Sequence, residues 1–337
     1  MSESKSNKIK IVLDAFGGDN APSEIVKGAA EALKNDLELF VVLTGKKEKI
    51  EAVLSEIGFK SDRLEIINAD EVITNDEVPT TAIRSKENSS LVVGLDYLKT
   101  HDDAHAFVSA GSTGAVLTGA TLRIGRIEGV TRPALAPLIP CVDGSNILLI
   151  DCGANVDCKP DMLLQFGKMG AAYVKALGIK NPRVALLNNG AEEKKGNELT
   201  KAAFVLLKES GLNFIGNMEA RDIMSGGADV LVADGFAGNI ALKASEGTAL
   251  SILKLLKEAI MNNGPLTKLG GLLIKKSLGG LKKTLDYSEY GGSLFVGVKK
   301  IVIKSHGSSK AGTIAASIKQ AADLARAGLV QKIEKEI

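Results

Sequence analysis

The chain has 337 residues, with 42 Lys and Arg against 40 Asp and Glu, a formal net charge of +2. A balance so near neutral implies no polyelectrolyte partner. With aromatics at 4% and no Trp, the chain also argues against base stacking and nucleic acid. The length suits one large α/β domain, or two domains sharing a sheet, with a sizeable core.

Three cysteines, Cys141, Cys152 and Cys158, form no C-x-x-C pair and suit a reducing compartment better than a disulfide framework. The N-terminal run Met1 to Lys8 is polar and lacks the apolar core of a signal peptide, and no run approaches a membrane span. A soluble, cytoplasmic protein is expected.

Residues 9–14 read as a first strand. It runs into Ala15-Phe16-Gly17-Gly18-Asp19, and Pro22 stands where a helix begins, with Ile25, Ala29, Ala32 and Leu33 on its buried face. A strand at 39–43, a lysine-rich helix at 46–57 and a strand at 64–67 follow, and residues 80–99 after Pro79 read as one helix or two. Ala106 to Ser109 then form a strand entering the turn Ala110-Gly111-Ser112-Thr113-Gly114 and a helix at 115–124. Pro133, Pro137 and Pro140 space a connection to a strand at 146–150, the turn Asp151 to Asn155 and a helix at 160–177 with Pro160 at its first position. The alternation continues with a strand at 183–187, the turn Asn188-Asn189-Gly190, a helix after Asn197, a strand at 212–216 and a short helix near 219–224.

Val230 to Ala233 are apolar without alternation, as in a parallel strand covered on both faces. Asp234-Gly235 break that strand, and Gly238-Asn239 open a long helix predicted to start near Ile240. A strand that stops at a glycine turn before a helix leaves backbone N–H groups free at the positive end of the helix dipole, which suits an anion such as phosphate. A single turn of this kind means little, because glycine geometry and an Asp cap explain it equally well. Here the device recurs at 17–18, 111–114, 153, 190 and 235–238. The chain closes with it again, in a strand at 296–304, the turn Lys304-Ser305-His306-Gly307 and a helix at 311–327.

Strand–helix alternation of this length predicts a doubly wound three-layer α/β/α sandwich, residues 1–337 forming one domain, with right-handed crossovers. In such sheets ligands bind beyond the carboxyl ends of the strands, so the turns are expected to converge on one anion-binding cleft. Residues 240–286 depart from the pattern. They predict a protruding helical hairpin, with Leu250, Leu253, Leu256 and Ile260 along one stripe and a second apolar run from Leu266 to Leu281. Seven lysines and one acid, Glu258, lie between Lys254 and Lys283. Such a hairpin suits a dimer seam, packing on the core, or a surface that dips into anionic lipid.

Several chemistries are set aside by spacing. Gly190 to Gly196 is one residue too long for a P-loop and lacks its Lys-Ser/Thr ending. No G-x-G-x-x-G follows the first strand, and no G-x-S-x-G elbow is present. His101 and His105 have the spacing of a metal pair but sit in a polar stretch before a strand, so no metal and no cofactor is expected. Cys152, beside Asp151 and Asp157, reads as core. What remains is a cleft of backbone donors and hydroxyls that could position a phosphate. Its cradle is read as Asp234, Gly235, Gly238 and Asn239 with Ser112, Thr113 and Gly114. Lys194 and Lys304 are the charge partners and His306 a proton donor, with the roles of these three left undivided. Asp14, Gly17, Gly18, Asn155, Asn188, Gly190, Ser305 and Gly307 complete the candidate binding positions at the other turns.

Taken together, Asp14-Ala15-Phe16-Gly17-Gly18-Asp19, Ser109 to Gly114, Asp151 to Pro160, Lys195-Gly196-Asn197, Asp234 to Asn239 and Val302 to Ser309 resemble the bacterial PlsX-type phosphate acyltransferases, in the same order from about residue 9 to 327. Departures fall at Phe16, Ser112, Asn189, Ala191 and Ser293. The resemblance implies transfer of a long acyl chain from acyl carrier protein to inorganic phosphate, giving acyl phosphate for phospholipid synthesis. It also implies a homodimer, a fold like phosphotransacetylases and isocitrate-dehydrogenase-like enzymes, and peripheral contact with an anionic membrane through residues 250–283. The rival readings are a short-chain phosphotransacetylase using coenzyme A and a non-catalytic acyl-lipid or anion-binding protein.

Overall fold

The structure is a computed structural model that describes residues 8–285 and 291–337, the side chains of 275–285 excepted. The polar run 1–7 and residue 286, at the end of the expected hairpin, lie outside the described residues. In chain order the elements are β1 (Ile9–Asp14), α1 (Ser23–Asn35), β2 (Leu39–Gly45), α2 (Lys47–Glu56), β3 (Leu64–Asn68), α3 (Pro79–Ser85), α4 (Ser90–Thr100), β4 (Ala104–Ser109), α5 (Thr113–Gly119), β5 (Ala134–Ala136), β6 (Leu138–Pro140) and β7 (Asn146–Ile150). The second half adds α6 (Pro160–Ala176), β8 (Val184–Asn188), α7 (Glu198–Glu209), β9 (Phe214–Glu219), β10 (Val230–Val232), α8 (Gly235–Asn262), α9 (Gly264–Leu285), β11 (Ser293–Val296), β12 (Ile301–Lys304), α10 (Ala311–Arg326) and α11 (Leu329–Glu336).

Two sheets result. The first has seven strands in the order β3-β2-β1-β4-β12-β11-β5, and the second five in the order β6-β7-β10-β8-β9. Their centres are parallel: β1 pairs with β2 and β4, β12 with β4, and β10 with β7 and β8. The central strands are apolar on both sides because helices cover both. In β1, Ile9, Ile11 and Leu13 join one cluster with α1, α6 and α10, while Val12 joins another with α4 and α5. The first cluster runs on to Leu148, Ile150, Leu186 and Val232 of the second sheet, so one buried layer serves both.

The proline-spaced connection is where the chain passes from one sheet to the other. β5 edges the first sheet and β6 the second, with Pro137 between them, and both pair antiparallel with their neighbours. Edge strands tolerate proline because one side of the ladder needs no donor. The single strand expected at 296–304 is instead an antiparallel pair, β11 and β12, since Gly297 at φ 95° turns the chain back. Residues 80–99 are two helices, the second capped by the Ser89 hydroxyl accepting from Val92 N. The short helix near 219–224 is a 3₁₀ turn at Ala220–Asp222.

The long helix after β10 begins at Gly235, five residues before the expected start. Asp234 Oδ1 accepts from the amides of Phe236 (3.0 Å) and Ala237 (2.8 Å), and so caps the helix at that point. Of α8, only Gly235, Gly238, Ala241 and Leu242 are buried, and the rest leads away from the sheets to pack against α9 as a protruding hairpin.

The first turn of α8 sits directly on the chain beyond β7. A Cβ on Gly238 would lie 1.9 Å from the Asp151 carbonyl oxygen, and one on Gly235 would lie 2.4 Å from the Asn155 carbonyl oxygen. Both neighbours are backbone and cannot rotate aside. Gly238→Ala is therefore expected to lower stability by about 1–3 kcal/mol in urea unfolding; an unchanged midpoint would show that the contact yields freely.

Candidate active site

Because β1, β4 and β12 are parallel, their carboxyl ends lie along one edge, with Lys304 beside Ser109 in register. Asp14 is buried there, its Oδ2 accepting from Ser109 Oγ (2.7 Å) and its Oδ1 from Phe16 N (3.1 Å). Burial pushes its carboxyl above the ordinary range, while the Ser90 and Ser109 hydroxyls and the Phe16 and Gly17 amides pull the other way. Ser109 Oγ in turn accepts from Gly111 N at 3.0 Å. Gly17 and Gly18 permit the close packing: a Cβ on Gly17 would meet Gly111 N at 2.6 Å, and one on Gly18 would meet the Gly307 carbonyl oxygen at 2.8 Å. Asp14, Gly17, Gly18 and Gly307 thus bind the turns to one another, and none of the four lines the cavity described below.

A second buried carboxylate organises the other sheet. Asp151 Oδ1 accepts from Leu135 N (2.8 Å) and Ala154 N (3.1 Å), and Oδ2 from Asn155 N (2.7 Å) and Asn155 Nδ2 (2.9 Å). Burial again raises its pKa against these donors. Asn155, expected as a binding residue, also donates to the Pro133 carbonyl (2.8 Å) and holds the turn.

The amides at the start of α8 are not free, contrary to the expected cradle. Gly235 N donates to the Asn155 carbonyl (2.7 Å), Phe236 N and Ala237 N to Asp234, and Gly238 N to the Asp234 carbonyl (2.9 Å). Asp234, Gly235 and Gly238 seat the helix. The free N-terminus belongs to α5, where the Ser112 side chain makes no cap. The amides of Thr113, Gly114 and Ala115 have no acceptor among the described residues, and such orphan donors suit an anion.

Between the sheets lies a cavity of about 340 Å³. The first sheet contributes Thr113, Lys304, Ser305 and His306, and the turn after β7 contributes Cys152 and Gly153. Helix α8 adds Asn239, Leu242, Lys243 and Glu246, spaced i, i+3, i+4 and i+7 and so on one face. Leu135, Pro137 and Leu138 make an apolar wall, and Gly291, Gly292 and Ser293 close the lining.

The electrostatics favour an anion. Burial lowers the Lys304 ammonium from its ordinary 10.5 to about 8, with Asp19 opposing and Lys243 adding to the fall. Its Nζ donates to the Ser305 carbonyl. Burial first, then the ammonium groups of Lys304 and Lys243, hold His306 below the ordinary imidazole range, so it is neutral at pH 7. His306 Nδ1 lies 2.8 Å from Ser308 Oγ. The Cys152 thiol, pushed well up by burial, stays protonated.

The structure thus gathers Thr113, Asn239, Lys304, Ser305 and His306 on the cavity wall, with Ser112 and Gly114 on the same helix end as Thr113. Asn188, Gly190 and Lys194 are not among the lining residues. They follow β8, which lies on the far side of β10 from β7. Asn188 is engaged with Lys195 O (3.2 Å) and Asn189 N (2.8 Å), and Lys194 is exposed. Lys243 and Glu246 were missed. Their signal was available as one and two turns beyond Asn239 on a helix of known phase.

The architecture is an α/β fold of the phosphotransacetylase kind. The solved phosphotransacetylase of Streptococcus pyogenes superposes with a TM-score of 0.62 at 20% identity, over 97% of this chain and 99% of that one. The chain belongs to the fatty acid synthesis protein family, whose model matches residues 9–332, and it is an acyltransferase. Relatives named phosphate acyltransferase include that of Clostridium acetobutylicum, 48% identical over 97% of this chain and 98% of its own length. That of Thermoanaerobacter pseudethanolicus is 49% identical over 98% and 97%.

A lysine titrating at about 8 carries its charge below that pH and loses it above. Phosphate, mainly a dianion above about pH 7.5, is therefore expected to bind more weakly as pH rises through 8, measured by calorimetry between about pH 7.5 and 9.5. Lys304→Met should bind weakly at every pH. A wild-type affinity flat across the range would remove Lys304 from the anion site.

Proposed function

We propose that this chain transfers a long-chain acyl group from acyl carrier protein to inorganic phosphate, releasing an acyl phosphate for phospholipid synthesis. The observation that carries this reading is one cavity with unlike walls: Lys304 and the free α5 amides on one side, Leu135, Pro137, Leu138 and Leu242 on the other. An inorganic anion and an acyl chain need those two environments side by side. The family membership and the relatives' names support it.

The reaction balances as RCO–S–carrier plus HPO₄²⁻ giving RCO–O–PO₃²⁻ plus HS–carrier. Phosphate rests on the α5 amides, Thr113 and the ammonium groups of Lys304 and Lys243, and one of its oxygens attacks the thioester carbonyl. The carbonyl oxygen gains negative charge, and the Asn239 side-chain amide, which has no hydrogen bond among the described residues, is the donor we assign to it. Neutral His306 adds a hydrogen-bond donor without a third positive charge. The C–S bond then breaks, and the proton lost by phosphate ends on sulfur. A thiol with a pKa of roughly 8.5 leaves without a strong acid.

Groups from both sheets meet at this cavity, so we take residues 1–337 as one functional unit with 240–286 as its insertion. We assign the hairpin to a peripheral membrane contact in a cytoplasmic homodimer. Leu253, Leu256 and Ile260 are half-buried, and Gly271 of α9 packs against Ile260, so the stripe expected from α8 is partly covered. The outer side of α9 carries Leu266 (84% exposed), Leu269, Leu272 (68%) and Leu273 (80%), with Lys254, Lys257 and Lys268 nearby in the hairpin. The rest of the apolar run to Leu281, and the lysines beyond residue 274, have side chains outside the described residues.

Palmitoyl carrier protein incubated with labelled phosphate should yield an acyl phosphate trapped by hydroxylamine. A hydroxamate from acetyl-coenzyme A but none from the palmitoyl carrier would replace this reading with a short-chain one. Leu272→Glu and Leu273→Glu should each weaken sedimentation with anionic vesicles about tenfold or more, and unchanged sedimentation would sever the hairpin from the lipid.

A further inference from the structure

Glu246 is the one carboxylate in the cavity lining among the described residues. Its side chain is only 14% exposed, and Oε2 lies 3.2 Å from Lys243 Nζ. The other oxygen, Oε1, is buried and has no hydrogen-bond partner among the described residues. A buried acceptor left unmatched is costly, and because Glu246 lines the cavity a small turn of its side chain would let a donor on the ligand match it. The polar groups assigned above to the anion, on Lys304, Lys243, Thr113 and the α5 amides, are donors. A fully ionised anion would satisfy those and still leave Glu246 facing it, acceptor against acceptor and charge against like charge.

We propose that Glu246 makes this site selective for hydrogen phosphate over fully ionised tetrahedral anions such as sulfate. This rests on the reading that the cavity binds phosphate. HPO₄²⁻ carries one P–OH, which donates to the Glu246 carboxylate and turns its three unprotonated oxygens toward the ammonium and amide donors. Sulfate at neutral pH has the same shape and charge but no hydrogen to donate, so it meets the carboxylate with repulsion. A site built to bond a ligand hydroxyl discriminates strongly against the analogue that lacks it, because its own polar group is then left unpaired. The position of Glu246, two turns from Asn239 on the same helix face, makes it part of the wall that the anion meets.

The test is calorimetric titration of inorganic phosphate and of sulfate into the full chain at one pH and one ionic strength. Wild type should hold phosphate at least about tenfold tighter than sulfate. In Glu246→Gln the amide can donate to sulfate and carries no charge, so the ratio should fall toward one, while Glu246→Asp should recover part of it. Equal affinities in the wild type, or a ratio that Glu246→Gln leaves unchanged, would overturn the proposal, and the wild-type ratio alone suffices should the variant fold poorly. Turnover scored separately distinguishes the two readings. Acyl phosphate formation with a ratio near one rejects the role of Glu246 alone, whereas a wild type that binds neither anion rejects the phosphate site and this selectivity with it.

Discussion

Two aspartates buried at strand ends set the geometry on which the rest depends. Asp14 ends β1, Asp151 follows β7, and each is almost wholly inaccessible. An unpaired carboxylate there would be prohibitively expensive, so the chain must bring donors to it. Asp151 collects three backbone amides and the Asn155 side chain, and Asp14 collects the Ser109 hydroxyl and the Phe16 amide. Satisfying these oxygens dictates the path of the turns. The turn after Asp151 then presents the carbonyl oxygens on which Gly235 and Gly238 sit, and the direction of α8 follows from that seating. Asn239, Lys243 and Glu246 reach the cavity because a helix so anchored has only one face turned toward it.

This chain of dependence explains what could be read from the residues alone. The parallel strands announced themselves as apolar runs ending at glycine, and the rule that ligands lie beyond strand carboxyl ends points to the edge where β4, β12, β7 and β10 border the cavity. Thr113, Asn239, Lys304 and His306 followed because they stand at those ends. The state of each backbone amide was not legible. Glycine beside a helix start signals either a free donor or a close approach, and only the tertiary partner separates the two. For α8 the partner is Asp234 or a carbonyl, and for α5 there is none among the described residues. Lys194 and Asn188 stand away from the cavity for a related reason. Their loop follows a strand of the right polarity, but β10 separates β8 from β7, and strand order is not written in local pattern. The break between β11 and β12 within the expected strand turned on Gly297, whose positive φ is not written in the residue pattern around it.

The cavity's charge arrangement is a balance. Burial lowers the Lys304 ammonium most, and the neighbouring Lys243 ammonium adds to the fall. Lys243 itself is paired with Glu246 at 3.2 Å, so Lys304 is the cation that bears the larger cost. In the reading proposed above, a dianion beside Lys304 would offset that cost as well as form a new attraction. His306 answers the same field by remaining neutral. Were it charged, three cations would surround the phosphate oxygens and hold them against attack, since charge that stabilises the bound anion equally stabilises it against becoming a nucleophile.

An inorganic anion and an acyl chain make opposite demands on one enclosed space. The anion needs fixed donors and little water, and the chain needs apolar surface and a way out. Helix α8 meets both because its length exceeds the core it packs on. Its first turns are buried against Asp151 and Asn155 and carry the polar face, and its later turns leave the sheets and join α9, whose outer leucines are exposed. Exposed leucines at such density on one helix are unfavourable in water and become favourable only when something apolar covers them. An acyl phosphate is itself amphipathic, and the proposed function puts its headgroup between Lys304 and α5 and its tail along Leu242 and outward. In that reading the helix that carries Asn239 also lies along the route by which the tail would leave. A shorter helix could build the anion site but would strand the product in water.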